Sequence, residues 1–142
     1  MAQNTNPVYA FDPNGINQNN IIRNERHTVT IKNNYDFNYI VPDYAPFFVN
    51  DFRMYTLTQQ GAKKYMVEGV DYVFGFRFIQ ATMKAGKVLY GSVQFINRKF
   101  SGDVYLEYRT LGGIWNIDAQ KIPISFFQST FSSRRLGQVE SG

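Results

Sequence analysis

Residues 103–109 read DVYLEYR, in which Val104, Leu106 and Tyr108 alternate with Tyr105, Glu107 and Arg109. Apolar positions recurring every second residue mark a strand with one buried and one solvated face. The same period recurs at 26–32 (RHTVTIK), where Val29 and Ile31 alternate with Thr28 and Thr30, and at 72–78 (YVFGFRF). Further strands are expected at 52–57, 64–67, 70–74 and 87–96, with Gly91 marking a bulge in the last. Residues 77–86 have room for one short helical turn closed by Gly86. Short strands separated by Gly, Asn and Asp turns predict an all-β fold, an antiparallel β-sandwich or flattened barrel with at most short helices.

The chain has 142 residues, about one domain, and 17% of them are aromatic: 13 Phe, 10 Tyr and 1 Trp. Large rings suit pleated, half-buried surfaces. Disordered chains are poor in rings and rich in charge, so this composition excludes wholesale disorder. With no cysteine, a disulfide-stapled domain, a thiol enzyme and a Cys-ligated zinc module are excluded. No run approaches the length of a membrane span, and the first residues, MAQNTNPVYA, lack the apolar core of a signal peptide. The net charge of +4 is scattered and reads as a solvated basic surface.

The ends differ from the middle. Residues 1–25 are rich in Asn and broken by Pro7, Pro13 and Gly15, and they predict an extended arm. That arm carries apolar anchors, among them Tyr9 and Phe11. The β domain is expected over 26–115. Residues 116–142 read as a Ser-rich tail, with room for a short helix before Pro123 and with Phe126, Phe127 and Phe131 as anchors. Between them, the loop 41–48 (VPDYAPFF) is stiffened by Pro42 and Pro46 and carries Tyr44, Phe47 and Phe48. These arm and loop rings, with Arg134 and Arg135, are the expected contacts to a partner, since rings and arginines dominate interface hot spots.

The catalytic inventory is thin. His27 is the single histidine, at the head of an expected strand, with no nucleophile-elbow motif anywhere. It reads as structural or surface, with neither a second His nor a Cys to complete a zinc site. Glu68 and Asp71 flank Gly69 without the spacing of a calcium loop. A carboxylate pair meeting in space could still hydrolyse a glycosidic bond. No phosphate-cradling glycine motif is present. No catalytic residue, cofactor or metal is expected. The stretch 72–78 loosely follows the aromatic strand with which RNA-recognition folds stack bases, but core-forming alternation is the plainer reading of Tyr72, Phe74, Phe76 and Phe78.

The ordered series Ala45-Pro46-Phe47-Phe48, Glu68 to Tyr72 (EGVDY), Arg77 to Ala81 (RFIQA), Leu89 to Ser92 (LYGS) and Tyr108 to Trp115 (YRTLGGIW) resembles a module recurrent in structural proteins of tailed bacteriophages. The resemblance covers about residues 28–122. Its module positions here are Pro46, Gly69, Asp71, Tyr72, Arg77, Phe78, Gly91, Arg109, Gly112, Gly113 and Trp115. It implies a non-enzymatic virion protein of the tail, baseplate, fibre-attachment or neck region. Such a protein is made in the host bacterial cytoplasm and works through contacts with other virion proteins and copies of itself. A capsid decoration or collar protein is the alternative, and an OB-like nucleic-acid-binding barrel a second. The ends depart from the pattern: similar proteins continue past the Trp with a longer helical segment, which Pro123 interrupts here.

Overall fold

A computed structural model describes residues 9–30, 38–97 and 99–116. Among the described residues, seven strands lie in one antiparallel sheet: β1 (Ile21–Val29), β2 (Tyr39–Ile40), β3 (Phe47–Leu57), β4 (Lys63–Tyr65), β5 (Tyr72–Arg77), β6 (Leu89–Phe95) and β7 (Gly102–Thr110). A short α-helix, α1 (Ile79–Ala85), connects β5 to β6, a 3-10 turn (Gln18–Asn20) precedes β1, and residues 114–116 are helical at the end of the described stretch. The spatial order is β1-β7-β3-β6-β2, with β4 beside the end of β3 and β5 beside β6. The sheet curls on itself. Phe52 of β3 and Phe74 of β5 belong to strands that do not pair, yet their ring centroids are 5.1 Å apart, edge to face. This is the all-β, antiparallel architecture with only short helices that the alternation predicts.

β7 lies between β1 and β3 and keeps the alternation of its sequence. Val104, Leu106 and Tyr108 are all buried on the concave side, and β7 pairs with β1 on one side and β3 on the other. Phe47 lies at the middle of the ring-packed core, fully buried, within 5.0 Å of Phe52, 5.6 Å of Phe74 and 5.7 Å of Tyr108 between centroids. Burying such a ring contributes about 1.5–3 kcal/mol. A second cluster joins Ala45, Phe48, Phe78, Ala81, Leu89 and Leu111, with Trp115 against it. Gly86, at φ 75°, closes α1 by donating its N–H to Thr82 O.

Three expectations change. The loop rings Phe47 and Phe48 are not loop residues: they open β3, buried, where the strand pairs with both β6 and β7. Covered on both sides and both faces, they present no ring to a partner. Gly91 marks no bulge, because β5 and β6 pair in unbroken register from Tyr72↔Phe95 to Arg77↔Tyr90. Its lack of a side chain makes room for Phe78 instead: a methyl there would lie 2.5 Å from the Phe78 ring. The arm expected over residues 1–25 gives way to strand pairing at Ile21, and Asp12 and Asn20 before it are already buried in the domain.

Candidate functional site

Two polar centres flank the ring-packed body. The first ties the beginning of the described chain to the end of β7. Gly113 donates its N–H to Tyr9 O at 2.9 Å, and Asp12 N–H to Leu111 O at 2.9 Å. The buried Asn20 amide donates to Ala10 O at 2.8 Å and to Thr110 O at 3.1 Å. Gly112 must be glycine here: its φ is 76°, and a methyl would run into the Ala10 carbonyl. Beside it, the Asn116 amide donates to Tyr44 O, Ala45 O and Thr110 Oγ1 at 2.9–3.0 Å, holding the segment that contains the cis Ala45–Pro46 bond. Arg109, nearly buried, donates from Nη1 to Asn17 O at 2.9 Å and from Nε to Asp51 Oδ2 at 3.4 Å. Phe11 (43% exposed) and Ile114 (66% exposed) stand in solvent around this clasp.

The second centre surrounds Glu25. β1 carries one extra residue between Ile22, opposite Tyr108, and Glu25, opposite Leu106. The bulge is absorbed by Asn24 at φ 59°, whose Oδ1 accepts from Tyr55 OH at 2.5 Å. Strict alternation from Ile22 would send Glu25 outward. The bulge instead brings Glu25 and His27 to the face of Tyr108. There Glu25 Oε1 accepts from Tyr108 OH at 2.7 Å, and Oε2 accepts from Asp43 N–H at 2.9 Å and lies 2.6 Å from His27 Nε2. Tyr108 OH in turn accepts from Tyr44 N–H at 3.0 Å. The Glu25 side chain is 7% exposed, His27 16% and Asp43 62%, so the cluster is walled on the Glu25 side and open at Asp43. Burial, then the Glu25 charge, push the Tyr108 hydroxyl far above the ordinary phenol range. Partial burial and the same charge raise the Asp43 carboxyl, with His27 pulling the other way. Such an arrangement can hold a proton or a cation between imidazole and carboxylates.

The residues singled out by sequence are therefore divided. Tyr9 and Tyr44 are half-buried and meet edge to face at 4.9 Å, joining the clasp to the Glu25 centre. Pro46, Arg109, Gly112, Gly113 and Trp115 gather at or near the clasp. Gly69 (φ 86°) shapes the turn before β5, and Asp71 caps it by accepting from Val67 N–H at 2.8 Å. Tyr72 and Phe78 are buried in the core. Arg77, expected at the surface, is half-buried, and its Nε has no hydrogen-bond partner among the described residues. Phe126, Phe127, Phe131, Arg134 and Arg135 lie outside the described residues.

Sequence reasoning missed Asp12, Asn20, Glu25 and Asn116. For Glu25 a signal existed. Glu25-x-His27 at period two puts both side chains on one face of a strand, provided the strand starts before residue 26. A groove of about 280 Å³ opens where β1 and β3 both lose register with β7, lined by Arg23, Arg53 and Arg109 with Asp51 and Glu107. Its charges largely balance. Among the described residues no helix is long and apolar enough to cross a membrane. The chain matches no family model, no curated protein and no solved structure.

Proposed function

We propose that this chain is a non-enzymatic structural subunit of a tailed-phage particle, a connector of the tail, baseplate, fibre-attachment or neck region acting through protein–protein interfaces. The observation that carries the reading is the clasp. Because Gly113 bonds to Tyr9 and Asn116 N–H to Gly113 O, residues 1–8 and 117–142 attach to the body at neighbouring points, beside the exposed Phe11 and Ile114. Two polar segments, the later one bearing Phe126, Phe127 and Phe131, thus start from one pole of a rigid β body. That is a geometry suited to embracing adjacent copies in a symmetric ring. The resemblance of 45–48, 68–72, 77–81, 89–92 and 108–115 to the phage module points the same way, and a capsid decoration or collar role would use the same pole. The OB-like reading is weakened by the burial of Tyr72, Phe74 and Phe78, which leaves those rings unable to stack on bases.

The test is truncation of the full chain from either end, read by sedimentation and by incorporation into particles. Removal of 1–8 or of 117–142 should preserve the β circular-dichroism spectrum while reducing self-association and incorporation. Truncated chains that assemble as well as the full chain would overturn the proposal.

A further inference from the structure

We propose that Glu25, His27 and Asp43 form a site for a divalent cation of the zinc class, one imidazole and two carboxylates, which staples β1 to the 41–46 segment. The sequence offers His27 neither a Cys nor a second His as zinc partner, and the carboxylates of Glu25, on the same strand face, and Asp43 stand there instead. The three candidate ligand atoms lie within 4.8 Å of one another: His27 Nε2 is 2.6 Å from Glu25 Oε2 and 3.9 Å from Asp43 Oδ1. A tetrahedral ion with bonds near 2.0–2.1 Å places its ligand atoms about 3.3 Å apart, and these separations bracket that spacing. Reaching it means opening the short His27–Glu25 contact and drawing in Asp43, the most exposed of the three.

Three further features fit a cation. Two carboxylates with a neutral imidazole balance a charge of +2, whereas without it two negative groups share one site, one of them nearly buried. The outer layer of such a site is already present: Tyr108 OH fixes the Glu25 oxygen that faces away from His27, and the Asp43 N–H fixes the other. Tyr108 OH is itself anchored by Tyr44 N–H. Finally, the Asp43 side leaves an open approach, where water completes the coordination shell.

The ion would cross-link two elements that strand pairing leaves almost unconnected, in a chain with no cysteine to form a disulfide. It would also steady Tyr44 against Tyr9, and so the clasp. The rival occupant of the same space is the His27 proton, in a plain hydrogen bond to Glu25. The inference does not depend on the phage assignment.

The experiment is titration of the chelator-treated full chain with zinc chloride near neutral pH, by calorimetry and by thermal unfolding, with magnesium chloride as the control for weak surface binding. Expected is a saturable event at one ion per chain, a higher Tm reversed by chelator, and no comparable response to magnesium. His27→Gln should abolish it. Asp43→Asn, at an exposed position that keeps the fold, should raise the Kd at least about tenfold. Absence of saturable zinc binding, or binding of equal strength in Asp43→Asn, would overturn the proposal in favour of the simple hydrogen bond.

Discussion

The ring-packed body and the polar clasp hold this molecule by opposite means. Around Phe47 the body closes through rings meeting at 5.0–5.7 Å in tilted and edge-on arrangements, a non-directional attraction proportional to buried area. At the clasp, Asn20 bonds to Thr110 across 90 residues, and Asn116 to Tyr44 and Ala45 across 72 and 71, through hydrogen bonds with defined donors and acceptors. The body should therefore tolerate a change of shape better than a loss of volume. The clasp should tolerate neither, because an emptied position leaves buried carbonyls unpaired.

The largest effect tests the body. Phe47→Ala should cost about 3–5 kcal/mol in urea unfolding, while Phe47→Leu costs about half as much or less, since the leucine refills most of the space. Equal costs would mean that specific ring geometry, and not volume, holds the core.

Next comes the clasp. Asn116→Ala removes an amide donating to three oxygens and should cost about 1–3 kcal/mol. Asn116→Asp, similar in shape but without the donor, should be no better. A shape-conserving rescue by Asp would erase the distinction between the two regions.

The smallest effect appears at high pH. Tyr72 is a buried ring of the body whose hydroxyl is pushed up to about 12 by burial, and then by Glu68 and Asp71. The unfolded chain ionises this phenol near 10, so between about pH 10 and 12 the unfolded state sheds a proton that the folded state keeps. Its contribution is fully present below pH 10 and is lost as the pH rises through 12. Tyr72→Phe should flatten the alkaline fall in stability while leaving the value at neutral pH nearly unchanged. An identical alkaline slope in the variant would remove Tyr72 from the account.

Legibility followed the range of the interactions. The alternation of Val104, Leu106 and Tyr108, the inward turn of Tyr72, Phe74 and Phe78, and the helical turn ended by Gly86 are local effects, readable from neighbours along the chain. Phe47 and Phe48 read as loop because Pro46 interrupts the pattern, and nothing nearby in sequence reports that β6 and β7 will cover both edges. Gly91 looked like a break in β6, whereas its cause is the Phe78 ring on a different strand. The Glu25–His27 pair is readable at period two, but one extra residue at Asn24 reverses the parity relative to Ile22 and hid that the pair faces Tyr108.

The amino-acid sequence alone determined that this chain is all-β, with a cleanly alternating strand over 103–109 and a short helical turn, because side-chain period and turn chemistry act within a few residues. The tertiary structure alone decided which rings are interior, why Gly91 and Gly112 have no side chain, and that Glu25, His27, Asp43 and Tyr108 meet. Each of those outcomes depends on register between strands distant in sequence, where one inserted residue moves a side chain to the opposite face.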